Sequence, residues 1–314
     1  MFKNLITSLS LLSLTAFAAP ASAEKLSLML DWFVNPNHGP IVIAKQKGYF
    51  KQHGIDVDIQ EPADPSTPPK LVAANKVDLA ITYQPNLTMD VAEGLPLVRT
   101  ATLIATPLNT LMMLDNGQKR DLKDLKGKKI GIALAGNEEA NVGTMLKSAG
   151  VNYSDVSIIN VGWALSASLA SGKVDAIWGG LRNFETNQLA LEGYKAVSFY
   201  PEEHGVPSYD ELVIVANHDH YNQKTVVAFN QALEQAVTYI VNHPEQAWRE
   251  FVAYSPDTLD NELNHKAWQD TLTRFALRPA AADLQRYDQY AEFLYQHKLI
   301  AKLPAAADYV VALK

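Results

Sequence analysis

Leu26, Leu28 and Leu30 alternate with Lys25, Ser27 and Met29, a period of two that predicts a strand with one buried face. After it, Pro40-Ile41-Val42-Ile43-Ala44-Lys45-Gln46-Lys47-Gly48 predicts a helix, with proline where a first turn accepts it and Ile41, Ala44 and Gly48 on one side. Asp31–Pro40 is therefore a strand-to-helix loop. In an open α/β sheet such loops lie at the carboxyl edge, where ligands bind. Asn37 and His38 fall at the predicted helix start, where free backbone N–H groups and the dipole favour an electron-rich ligand atom. The competing reading is that Trp32 and Phe33 plug a core while Asn35, Pro36 and Asn37 make a turn.

The same alternation continues along the chain. Ile55–Ile59 is a second strand, completing a βαβ unit, and a proline-rich loop, Glu61–Pro69, leads into a helix over Lys70–Ala74. Val77–Thr82 is a third strand with Tyr83-Gln84-Pro85-Asn86 at its carboxyl end; a helix through Val91 and a strand Leu97–Ile104 close the first series. A second series opens near Asp121, with a short helix over Asp121–Gly127, strands Lys129–Leu134, Val156–Val161 and Val174–Trp178, and helices Ala140–Ala149 and Trp163–Ser171. Its last strand runs into Gly179-Gly180-Leu181-Arg182-Asn183-Phe184-Glu185. Glu211–Ala216 is again a strand, and beyond it the period becomes helical over Lys224–Asn242, Pro244–Ala253, Asn261–Phe275 and Asp283–His297.

One echo links the two series. Ala73-Ala74-Asn75-Lys76-Val77-Asp78 and Ala170-Ser171-Gly172-Lys173-Val174-Asp175 lie 97 positions apart, and each ends a helix on a residue that tolerates the left-handed region before Lys-Val-Asp opens a strand. The chain is expected to form lobe one from residues 24–109, lobe two from 110–206, and to return to lobe one over 207–314. Two crossings make a hinge with the ligand cleft between lobes.

Residues 1–23 stand outside this pattern. Lys3, the largely apolar run Leu5–Ala18 and Ala21-Ser22-Ala23 form a cleavable export signal. Losing Lys3 takes the formal net charge of −7 to −8, which disfavours nucleic acid or an anionic membrane as partner. With no cysteine there is no disulfide, thiol chemistry or cysteine-linked lipid anchor. The export signal and this chemistry predict a soluble periplasmic protein. Nothing after the signal is long and apolar enough to span a bilayer.

Catalytic signatures are missing: there is no P-loop, Rossmann glycine fingerprint, G-x-S-x-G elbow or H-E-x-x-H. His218-Asp219-His220 lacks further obvious ligands and reads as a solvated loop. What recurs is aromatic and polar side chains at strand ends: Asp31, Trp32, Asn37 and His38, then Tyr83 and Gln84, Trp163, Asn183 and Glu185, Tyr209 and Asp210. Aromatic faces clamp a flat ring, and a carboxylate such as Glu185 accepts hydrogen bonds from an exocyclic amine, a set that suits a small planar nitrogen heterocycle. Against this, Trp163 and Trp178 read as core, Glu185 as a favourable first-turn acid, and Glu138 and Glu139 as surface acids.

Several strings together, Asp31–His38, Asp64–Ala73, Tyr83-Gln84-Pro85, Ala92–Val98 and Arg182-Asn183-Phe184-Glu185, resemble the ThiY-like solute-binding proteins of the NMT1/THI5 superfamily, over most of the chain after the leader. The resemblance implies an α/β, two-lobed type II periplasmic binding protein fold with a helical C-terminal region. It implies service to an ABC importer permease in the inner membrane, and a thiamine-precursor pyrimidine, formylaminopyrimidine or hydroxymethylpyrimidine, as ligand. The superfamily also holds eukaryotic pyrimidine synthases that consume their own histidine and pyridoxal phosphate and carry a cysteine-rich iron motif. Here His38 stands in a similar loop without any cysteine, so a binder with no cofactor and no metal is expected rather than an enzyme. Synthase activity and binding of riboflavin, nitrate or a sulfonate are the alternatives.

Overall fold

The computed structural model describes residues 23–313, so the segment expected to be an export signal, Ala23 aside, lies outside the described residues. Among the described residues the strands are β1 (Glu24–Met29), β2 (Ile55–Gln60), β3 (Leu79–Thr82), β4 (Leu97–Ile104), β5 (Asn109–Leu114), β6 (Lys129–Ile132), β7 (Ser157–Asn160), β8 (Ala176–Leu181), β9 (Ala196–Phe199) and β10 (Leu212–Asn217). They form two five-stranded sheets, ordered β2-β1-β3-β10-β4 and β7-β6-β8-β5-β9. In the first, β1 lies parallel to β2 and β3, while β10 runs antiparallel to β3 and β4. In the second, β6 lies parallel to β7 and β8, and β5 runs antiparallel to β8 and β9. Both sheets thus repeat one topology around a single antiparallel strand.

The repeated Lys-Val-Asp step explains part of that likeness. Asn75 and Gly172 both take positive φ, 54° and 72°, turning the chain out of a helix. Asp78 Oδ2 then accepts from the backbone N–H of Ser27 on β1 at 2.7 Å, and Asp175 Oδ2 accepts from that of Lys129 on β6 at 2.9 Å. In each sheet the aspartate stitches the opening of one strand, β3 or β8, to its parallel neighbour, β1 or β6.

The chain passes between sheets twice, between Ile104 and Asn109 and between Phe199 and Leu212. Both crossings are pinned together by two neighbouring acids. Glu211 accepts from the backbone N–H groups of Leu108 at 2.5 Å and Asn109 at 3.0 Å, and from Asn109 Nδ2 at 2.6 Å. Asp210 accepts from Thr102 Oγ1 at 2.7 Å, from Tyr287 OH at 3.0 Å and from Arg286 Nη1, which also donates to Ala105 O at 2.9 Å.

The helical C-terminal region expected from the pattern is present. Gln223–Asn242 is capped by Asn222, whose side chain accepts from the N–H groups of Lys224 and Thr225. It buries Val226, Phe229, Leu233, Ala236 and Ile240, with Phe229 stacked on Phe50 at 5.2 Å between ring centres. Leu284–Gln296 serves both sheets: Tyr287 joins the core beside the first, and Tyr290, Phe293 and Leu294 join the core beneath the second. The helix Gly39–Gln46 opens on glycine because a Cβ there would stand 2.8 Å from Trp268.

Candidate functional site

The loop after β1 is built inward. Asn35 caps the turn Pro36–His38, its Oδ1 accepting from the Asn37 N–H at 3.0 Å, and its own N–H donates to His38 Nδ1 at 3.2 Å. Because Nδ1 is used as an acceptor, Nε2 carries the proton and donates to Asp31 Oδ1 at 2.9 Å. Tyr83, at the end of β3, donates its hydroxyl to Asp31 Oδ2 at 2.7 Å. Burial, and next the Asp31 carboxylate, hold the Tyr83 phenol well above its usual range, so it remains a donor. Two neutral groups therefore fix the Asp31 carboxylate at the carboxyl edge of the first sheet.

The second sheet contributes the facing wall. β8 ends at Leu181, and a turn delivers Glu185 to the start of the helix Glu185–Leu191, where Glu185 Oε2 accepts from the Leu181 N–H at 2.7 Å. Burial pushes its carboxyl up to about 7, against the opposing pull of the Leu181 and Glu185 backbone donors. Trp178 Nε1 donates to Asn137 Oδ1 at 3.3 Å, and Asn137 Nδ2 donates across the cleft to Asn86 Oδ1 at 2.9 Å.

Between these walls lies a cavity of about 70 Å³. Asp31, Trp32, Asn37, Tyr83 and Glu185 line it, so the structure brings together five of the eleven residues singled out above, while Trp163 stands at the cleft mouth and Asp210 on the second crossing. The other four stand behind the lining. His38 is fully buried, spent on orienting Asp31. Gln84 is fully buried, its Oε1 accepting from the Asp210 N–H at 2.8 Å. Asn183 donates to Asn37 Oδ1 and to Thr271 Oγ1, both at 2.7 Å, and so supports a lining residue from outside. Tyr209 packs edge-on to Tyr290 at 5.4 Å in the core beneath the second sheet.

Sequence reasoning missed Asn86, Asn109 and Asn137, which also line the cavity. Asparagine near a helix start signals a cap before it signals a ligand contact, and only the two-lobe arrangement brings these three together. The core reading holds for Trp178 and fails for Trp163. Trp178 is buried but forms part of the cavity wall, whereas Trp163 is 45% exposed.

Trp163 instead meets Trp32 across the cleft mouth at 3.9 Å between ring centres, with Phe33 and Phe184 in edge contact beside them at 6.2 Å. Together with the Asn37–Asn183 and Asn86–Asn137 bridges these contacts join the two walls on several sides. An aromatic pair contributes about 0.5–1.5 kcal/mol beyond its buried area. Trp163→Ala is therefore expected to speed release of a bound ligand roughly two- to tenfold in stopped-flow fluorescence, with a smaller effect on capture. An unchanged release rate would remove the pair from the closure.

Comparison with known proteins places this geometry. The family model described as NMT1/THI5 like matches residues 35–247. A protein of Haemophilus influenzae whose name assigns it to thiamine biosynthesis is 50% identical over 97% of this chain and 96% of its own length. The formylaminopyrimidine-binding protein of Halalkalibacterium halodurans is 34% identical over 71% of this chain and 68% of its own. Among solved structures, the alkanesulfonate-binding protein SsuA of Xanthomonas axonopodis pv. citri, bound to MOPS, superposes with a TM-score of 0.71 at 18% identity, covering 93% of this chain and 99% of that one. At that identity the likeness establishes the fold, that of periplasmic binding proteins.

Proposed function

The chain belongs to the NMT1/THI5-like family, and from that premise we propose that it is the solute-binding component of an ABC importer, carrying a small planar pyrimidine precursor of thiamine. The observation that carries the reading is Glu185: a buried carboxyl on the wall facing Trp32 and Tyr83, whose Oε2 is held by the Leu181 N–H and whose Oε1 makes no hydrogen bond to another residue among the described ones. An aminopyrimidine supplies a flat face for the aromatic rings and an exocyclic N–H for that oxygen. Formylaminopyrimidine, named for the Halalkalibacterium halodurans relative, and hydroxymethylpyrimidine both have these groups.

The protein is a carrier and not an enzyme. His38, the histidine in the synthase-like loop, is fully buried and committed to Asp31 and Asn35. We assign residues 24–109 and 207–314 to one lobe and 110–206 to the other, with closure about the two crossings. The cleaved leader, the periplasmic location and recognition of the closed form by an inner-membrane permease belong to the same proposal. Among the described residues no helix is long and apolar enough to cross a membrane.

The test is a melting curve with and without formylaminopyrimidine or hydroxymethylpyrimidine. A ligand at one hundred times its dissociation constant should stabilise the protein by about 2.7 kcal/mol. No upward shift with either compound, and no binding in calorimetry, would overturn the reading.

A further inference from the structure

We propose that the cavity sorts ligands by charge, admitting an unphosphorylated aminopyrimidine and rejecting its phosphate ester, with Asp31 the residue that sets the selection. The inference rests on the pyrimidine reading above and adds the charge state that the cleft accepts.

Among the described lining residues Asp31 and Glu185 carry the only charged side chains, and both are acids. Among the described residues Asp31 has no cationic partner: Tyr83 donates to one oxygen, and His38, accepting at Nδ1 and donating from Nε2, has the hydrogen bonding of a neutral imidazole. Arg182, only three residues from Glu185, is turned elsewhere, paired with Glu202 at 2.8 Å and lying over the Tyr200 ring at 4.1 Å.

Four of the backbone donors beside the cavity are also spent. The Leu181 N–H goes to Glu185 Oε2, the Gly136 N–H to Glu138 Oε2 at 2.6 Å, the Gln84 N–H to Asp210 O at 3.3 Å and the Asn37 N–H to Asn35 Oδ1. Helix starts and turns around a cleft are ordinary anion sites. Here the chain's own oxygens occupy those four donors. A phosphate entering this space meets one fixed negative charge and a second ionisable acid in a poorly solvated cavity, without a cation to offset them.

The experiment is calorimetric titration of the full chain, freed of its leader, near pH 7.5 with three probes: 4-amino-5-hydroxymethyl-2-methylpyrimidine, its phosphate monoester, and its neutral acetate ester as a control for bulk. The phosphate should bind at least about 100-fold more weakly than the alcohol, with the acetate ester within about tenfold of it. Asp31→Asn, checked for folding by circular dichroism, should shrink the phosphate-to-alcohol ratio at least about tenfold, and Glu185→Gln should shrink it in the same direction. Equal binding of phosphate and alcohol, rejection of the acetate ester as strong as that of the phosphate, or a ratio unmoved by Asp31→Asn would each overturn the proposal. Inorganic phosphate and an alkanesulfonate at millimolar concentration separate the two claims. Binding of either overturns the charge filter, whereas rejection of both with no binding of the alcohol or its acetate ester sinks only the pyrimidine reading.

Discussion

Glu185→Gln is expected to bind an aminopyrimidine about tenfold more weakly than the wild type while melting at a higher temperature when unliganded above about pH 7. The two effects share one cause. A hydrogen bond to a charged group contributes about 1.5–3 kcal/mol and a neutral one about 0.5–1.5, so replacing the carboxylate by an amide costs roughly a factor of ten in affinity. The same carboxylate destabilises the empty protein. Its carboxyl lies at about 7 in the fold against an ordinary 4.5, chiefly through burial. The folded state therefore holds this proton longer than the unfolded chain, and stability falls as pH rises from about 4.5 to about 7. Above that window the whole penalty, on the order of 3 kcal/mol, is present. Glu211, also pushed up to about 7 chiefly by burial, adds a term of the same sign. Wild-type melts across pH 5 to 8 should therefore decline towards alkali, and Glu185→Gln should flatten the decline without abolishing it. A wild-type profile that rises through this interval, or a variant with unaltered affinity, would remove Glu185 from the role given to it.

How far the sequence anticipates this arrangement depends on which physical signal each part leaves. β1 and β2 alternate, and the two Lys-Val-Asp steps carry a turn residue beside a strand opening, so both were legible and the structure shows the same device in each sheet. β5, Asn-Thr-Leu-Met-Met-Leu, left no such trace. It lies between β8 and β9 with Thr110, Leu111, Met112 and Met113 all buried, and a strand covered on both faces shows an apolar run instead of a period. The short, half-buried β9 is equally silent.

In the site, proximity to a strand's carboxyl end was the usable signal, and it located Asp31, Trp32, Tyr83 and Glu185 along the cavity. That signal does not say which way a side chain faces. Gln84 and Asn183 stand beside lining residues in the chain, yet their amides turn to Asp210 and to Asn37. Tyr209 lies on the returning crossing itself and turns its ring into the core beneath the second sheet, edge-on to Tyr290. The asparagines at 86, 109 and 137 become a group only when two lobes fold towards each other.

Asp210→Ala is expected to lower stability by about 3 kcal/mol. Asp210 gathers Thr102 from β4, Tyr287 and Arg286 from the C-terminal helix, and sits on the returning crossing beside Glu211. Truncation takes the acceptor from the fully buried Tyr287 hydroxyl and from the Thr102 hydroxyl, whose oxygen still accepts from Arg99 Nη2 at 2.6 Å, and leaves a guanidinium only 30% exposed with Asp283 at 4.0 Å as its remaining acid. Removing one partner of a buried ion pair typically costs about 3–5 kcal/mol, because the remaining charge has lost its compensation. The partial exposure of Arg286 and its second bond to Ala105 O place this case at the lower end. Urea unfolding of the single variant should show the loss as a lower midpoint at an unchanged slope. Asp210→Ala combined with Arg286→Met should then recover part of it, since the stranded charge is gone and an apolar chain fills the same space. A double variant no more stable than Asp210→Ala would shift the cost from the guanidinium to the two hydroxyls. A single variant as stable as the wild type would show that Glu211, through Leu108 and Asn109, secures the crossings unaided.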